Sequence, residues 1–117
     1  VGDSMGFVTP LMRLQDPAQT KVVLVTLAEP TPVLEAEELQ ADLERAGIHP
    51  WAWVINNSIA AADPRTPFLR ARAASEFEQI TKVHTLTGRV ALIPLLAEEP
   101  VGEERLSALT ALSSEPA

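Results

Sequence analysis

No cysteine occurs among the 117 residues, and that absence removes disulfides, thiolate metal sites and thiol nucleophiles together. Imidazole is almost as scarce. His49 and His84 are the two histidines; neither stands near a second ligand type at metal spacing, so no metal site is expected within the chain. Nowhere does the sequence contain G-x-x-x-x-G-K-[ST], G-x-G-x-x-G or G-x-S-x-G, so it has no phosphate-cradling loop and no nucleophile elbow. Positive charge is also in deficit: nine Lys and Arg against sixteen Asp and Glu give a net charge of -7. Affinity for nucleic acid comes largely from cations that displace counterions from phosphates, so nucleic acid is not an expected partner. No apolar run approaches the roughly 18 residues of a membrane helix, and the opening VGDSMGF has neither the basic nor the apolar region of a signal peptide. A cytoplasmic address is therefore expected. The chain opens on Val with no start-like stretch before Thr9-Pro10-Leu11, which suggests a piece of a longer polypeptide.

What is present reads as one α/β unit over residues 1–117, its tail 113–117 expected to be disordered. The apolar fraction of 46% and charged fraction of 21% are ordinary for a folded domain. KVVLVTL at 21–27 is a short run rich in β-branched residues, as expected of a strand buried on both faces. Thr31-Pro32 predicts a helix start, Ala36, Leu39, Leu43 and Ala46 its buried stripe, and Gly47 its stop. WAWVINN at 51–57 predicts a second strand entered through His49-Pro50, with Trp51 and Trp53 sharing a packed face. Thr66-Pro67 opens a second helix with Leu69, Ala73, Phe77 and Ile80 inward, closed by Gly88. RVALIPLL at 89–96 and Val101 to Leu112 supply a third strand and a last helix. Strands alternating with helices over short connections predict a mostly parallel sheet in a three-layer arrangement with flanking helices. A three-stranded parallel sheet has two unpaired edges, so the pattern fits the second half of a larger doubly wound domain, and an exposed edge offers a route to self-association.

In open α/β sheets, ligands bind beyond the carboxyl ends of the strands, which directs attention to three short stretches. After the first strand stands Glu29, acidic before a helix start and thus favoured by the helix dipole. It is a candidate interface or nucleotide-proximal residue. After the second strand stands Asn56, whose amide carries both the donor and the acceptor that match the adenine edge; Asn in such a place also commonly holds a turn. In the third, Pro94 cannot donate to a ladder, so the strand must end or bend there. Leu95 and Leu96 follow as a surface for the flat face of a base or as ordinary core leucines. Glu98-Glu99 read as solvated caps of the last helix.

Across TPLMRLQDPAQTKVVLVTLAEPTPVLEAEELQADLERAGIHPWAWVINNS and RVALIPLLAEEPVG the sequence resembles the anion-transporting ATPases that drive arsenical pumps, in the segment after their second signature loop. With the intervening helix, the resemblance covers nearly the whole chain. It implies a P-loop NTPase-like domain of the deviant Walker A, SIMIBI type, of which this is the C-terminal part, related to partition and tail-anchored-protein targeting ATPases. It implies ATP and Mg²⁺ in the full-length protein, with neither bound tightly by this segment alone. It implies as partners the preceding ATPase portion or a second ATPase half, and an integral membrane arsenite channel that would hold the protein at the inner face of the plasma membrane. By the same resemblance Asn56 and Pro94 contact adenine, with Leu95 and Leu96 as weaker neighbours. Two departures stand out. The metalloid-binding cysteines have no counterpart, and where targeting relatives carry a zinc-binding C-x-x-C this sequence has Phe68, Leu69, Arg70 and Ala71. The alternative expectation is a non-catalytic α/β interaction module of a related targeting or partition ATPase.

Overall fold

The computed structural model describes residues 8–96 and 101–113. In chain order the elements are α1 (Pro10–Gln15), β1 (Val23–Leu27), α2 (Pro30–Arg45), β2 (Ala52–Ser58), α3 (Pro67–Leu86), β3 (Val90–Pro94) and α4 (Glu103–Ser113). The three strands form one parallel sheet in the order β1-β2-β3, which makes this an α/β fold. Helix α1 was not anticipated, although Thr9-Pro10 carries the same start chemistry as Thr66-Pro67: Thr9 Oγ1 accepts from the Met12 amide at 3.1 Å. The expected tail beyond Ser113, and the Glu98-Glu99 caps, lie outside the described residues.

Strand order decides which face is covered. Two right-handed crossovers stepping in the same direction across a sheet place their helices on the same side, and α2 and α3 both pack there. Leu24, Trp53 and Ile55 from the sheet meet Val33, Ala36, Ile80 and Val83 from the helices in one core. The opposite face of β1 is open, with Val25 64% exposed and Val23 and Leu27 also exposed. The reading of residues 21–27 as a strand buried on both faces is therefore corrected: β1 alternates, because no described helix crosses back over that side. Helix α4 packs against β3, with Leu106 half exposed and Leu109 partly buried.

Several stripes are rotated from their expected phase. Helix α2 begins two residues early, with Glu29 as N-cap and Pro30 first, and Val33 N donates to Glu29 O at 3.1 Å. Both Pro30 and Pro32 fit within the first turn, where amides have no intrahelical partner. Val33 and Ala36 are buried, whereas Leu39 is 47% exposed and Ala46 is exposed. Gly47 ends the helix at φ +79°, a conformation that glycine adopts without a Cβ penalty. Gln15 Nε2 donates to Ala46 O at 2.8 Å, tying α1 to this terminus. Helix α3 starts as expected, Thr66 Oγ1 accepting from Leu69 N at 3.2 Å. Its inward stripe, however, is Ala73, Glu76, Ile80 and Val83, and Phe77 is 59% exposed.

The two tryptophans do not share a face. β2 begins at Ala52, so strand alternation does not reach Trp51. Trp53 is fully buried and its Nε1 donates to Gln40 Oε1 at 2.7 Å. Trp51 is 45% exposed, its ring flanked by Arg89 at 4.6 Å and Lys21 at 5.6 Å from the centroid, a cation–π arrangement at the surface.

Candidate functional site

The carboxyl ends of the three strands converge on one rim, as a parallel sheet requires. β1 and β2 are in register from Val23↔Ala52 to Leu27↔Asn56, which brings Asn56 beside the residue that leads into Ala28-Glu29. Asn56 is half-buried, and its side-chain amide has no hydrogen-bond partner among the described residues. Every buried side-chain polar atom there does have one, so the Asn56 amide is reachable from solvent.

Beyond Asn56 the pairing slips. Ile55 pairs with Leu92 and Ser58 with Pro94, so β2 uses three steps where β3 uses two. The extra residue is taken up by Asn57 at φ +51°, a left-handed conformation that Asn tolerates better than most side chains. Such bulges re-aim the residues around them. Here the slip turns Ser58 toward the helix-covered side, where its side chain is fully buried and donates to Glu76 Oε1 at 2.9 Å.

Glu76 is the residue that sequence reading missed. It is 8% exposed on the buried stripe of α3, and a glutamate among apolar neighbours needs partners to offset its desolvation. It has three. Besides Ser58 Oγ, the amide of Ile59 donates to Oε2 at 3.0 Å and that of Ala60 to Oε1 at 3.2 Å. Ser58 Oγ in turn accepts from Ala61 N at 3.1 Å. The available signal was the helical spacing Ala73-Glu76-Ile80-Val83, which places the acid on the inward face once the phase of the stripe is known.

A cleft of about 170 Å³ opens at this rim, lined by Leu27 at the end of β1, Ala28 and Glu29 beyond it, Asn57 near the end of β2, and Arg72 and Glu76 on α3. Glu29 is exposed and makes no side-chain cap bond to α2. Arg72, which has no ion-pair partner among the described residues, brings a cation to this cleft. Asn56 is not among its lining residues, so the rim separates into a helix-side cleft and the open sheet face that carries Asn56.

The expected third stretch is joined to the second. β3 ends at Pro94, in line with its missing amide hydrogen, yet Leu95 N still donates to Ser58 O at 2.9 Å. Leu95 is 46% exposed, and Pro94 and Leu96 are half-buried. The structure thus joins Pro94 and Leu95 to Ser58, two residues beyond Asn56 on β2, while Glu29 lines the cleft. Among the described residues no group of three or more His, Asp or Glu is placed to hold a metal ion. Nor is any helix there long and apolar enough to cross a membrane.

A family model described as anion-transporting ATPase matches residues 10–114. An arsenical pump-driving ATPase of Escherichia coli is 59% identical over 110 residues, covering 93% of this chain and 19% of that protein. One from Acidiphilium multivorum is 58% identical over the same shares, and a second from Escherichia coli is 54% identical. The chain spans about a fifth of the length of these relatives, 19% in each case. A match over most of the chain at this identity settles kinship: the chain belongs to the anion-transporting ATPase family.

Proposed function

We propose that this chain is the adenine-recognising part of an ATPase that couples ATP hydrolysis to arsenite export. One observation carries the reading: the Asn56 amide, without a hydrogen-bond partner among the described residues and open to solvent, lies near the carboxyl end of the central strand, two residues before Ser58, which joins the Pro94-Leu95 exit of β3. An amide offers one donor and one acceptor to the adenine edge, and an apolar surface next to it suits the ring face. ATP with Mg²⁺ would supply the phosphoryl group whose transfer does the work. This chain has no phosphate loop and no described metal cluster, so the groups that hold phosphate and Mg²⁺ belong to a preceding ATPase portion or a second ATPase half. Glu29, exposed in the cleft, is the nucleotide-proximal or interface residue in this reading. The export partner is an integral membrane arsenite channel, which would hold the ATPase peripherally at the cytoplasmic face of the membrane.

The test is Asn56→Ala in the full-length polypeptide that carries this segment. Loss of a base hydrogen bond worth roughly 1 to 2 kcal/mol should raise the KM for ATP about five- to thirtyfold. An unchanged KM would remove Asn56 from the site. A second reading, a non-catalytic interaction module, draws on a different observation: a groove of about 440 Å³ runs along the unpaired edge of β1, between Val23–Thr26 and Pro32, Ala36 and Leu39 of α2. An edge strand with free amides and carbonyls is a template for another strand. Sedimentation of the 117-residue chain over a concentration series decides it, since a monomer at the highest concentration excludes self-association through that edge.

A further inference from the structure

The Glu76 carboxylate lies on the helix-covered side of the sheet, and the amide of Asn56 lies on the other. A short chain of hydrogen bonds runs from Glu76 to Ser58 and on to Leu95, and Asn56 precedes Ser58 by two residues along the backbone. Glu76 holds Ser58 Oγ and the amides of Ile59 and Ala60, which fixes the first turn after β2. The backbone of that same Ser58 accepts from Leu95 N at 2.9 Å, and Ser58 is the register partner of Pro94. Ser58 is therefore the joint between the end of β2 and the exit of β3, and Glu76 is what holds the joint. The left-handed Asn57 at φ +51° lies immediately before it, so the placement of Asn56 depends on where Ser58 is anchored.

We propose that Glu76 is a positioning residue for adenine recognition: through Ser58 it keeps Asn56 and the Pro94-Leu95 segment in one mutual arrangement. This inference rests on the adenine reading given above. Its physical basis is that a buried acid with three donors has one geometry in which all are satisfied. Supporting shells of this kind set how well a binding group is placed, and small displacements there cost affinity steeply.

Glu76→Gln keeps the size of the side chain but replaces one acceptor oxygen with a donor, so it cannot receive all three bonds. In the full-length ATPase polypeptide, the KM for ATP should rise roughly three- to tenfold with kcat changed less than about twofold, the range of one weakened hydrogen bond. The Ki of GTP, measured as a competitor of ATP hydrolysis, should change little, so base selectivity falls. Ser58→Ala should show the same pattern. The double variant should be no worse than the more affected single one, because both act through one joint. Parallel changes in ATP KM and GTP Ki would overturn the proposal, since a general loosening of the fold makes no distinction between bases. So would unchanged selectivity in a folded Glu76→Gln; if that variant does not fold, Ser58→Ala decides alone. The Asn56→Ala variant separates the two claims. Should it leave ATP-over-GTP selectivity intact, the adenine reading fails and this inference with it. Should it collapse selectivity while Glu76→Gln and Ser58→Ala do not, only the role of Glu76 is refuted.

Discussion

Replacing Trp53 by Phe should cost about 2 kcal/mol of folding stability, a figure that follows from two separable losses. Trp53 is fully buried, and its Nε1 donates to Gln40 Oε1 at 2.7 Å, while Gln40 Nε2 donates onward to Leu86 O at 3.2 Å. Removing the indole donor forfeits about 1 kcal/mol of net hydrogen bonding. The part of the indole that a phenyl ring does not replace buries on the order of 40 Å² of apolar surface, worth about 1 kcal/mol at roughly 25 cal/mol per Å². For a chain of this size, with a urea slope of about 1.5 kcal/mol per M, the unfolding midpoint should drop by roughly 1.3 M. Far-UV circular dichroism of the 117-residue chain in urea reads that midpoint directly. A double-mutant cycle with Gln40→Met then isolates the hydrogen bond, because the separate cost of orphaning Leu86 O cancels between the two backgrounds. Coupling of about 1 kcal/mol is expected. A midpoint shift below about 0.3 M, or an equal Trp53→Phe cost in both backgrounds, would refute the assignment of Trp53 as a bonded core residue. Trp51→Phe is the internal control and should cost no more than about 0.5 kcal/mol, as a surface cation–π contact does.

Thr66→Ala should destabilise α3 by about 1 kcal/mol through loss of its N-cap, seen as faster amide hydrogen exchange at Leu69, whose N–H bonds Thr66 Oγ1 at 3.2 Å. On the same helix, Ile80→Ala should cost roughly 2 to 4 kcal/mol by leaving a cavity in the core, whereas Phe77→Ser should fall within about 0.5 kcal/mol of wild type. A larger loss at Phe77, which is 59% exposed, than at Ile80 would mean that the helix is turned the other way.

Local signals were legible where the chemistry is local. Thr66-Pro67 needed only the capping hydroxyl of Thr66 and the fixed φ of Pro67, and the helix begins there. Gly47 and Pro94 terminate their elements for equally local reasons. Leu39 and Phe77 were misplaced because an amphipathic helix pattern tolerates more than one phase when apolar residues are frequent, and Trp51 because β2 begins one residue later, at Ala52. Which phase is used depends on the partners, and those lie far away in sequence. The site divides in the same way. Asn56, Glu29 and Pro94 were singled out as candidates from their position at strand ends, where ligands bind in open parallel sheets. Glu76 escaped because an acid in mid-helix is ordinarily solvated, and only contact with the turn of residues 58–60, sixteen to eighteen positions away, makes burial affordable.

By itself, then, the sequence determined the alternation of strand and helix, the family, and the strand ends beyond which ligands bind in open parallel sheets. The absence of cysteine and of a phosphate loop also followed directly. Tertiary structure decided that α2 and α3 share one face, that β1 leaves the other face open, and that Ser58 joins two strand exits under the hold of Glu76. The physical reason is range. Caps, breakers and β-branched runs act within a few residues, whereas the covering of a face and the satisfaction of a buried charge depend on segments that meet only when the sheet is assembled.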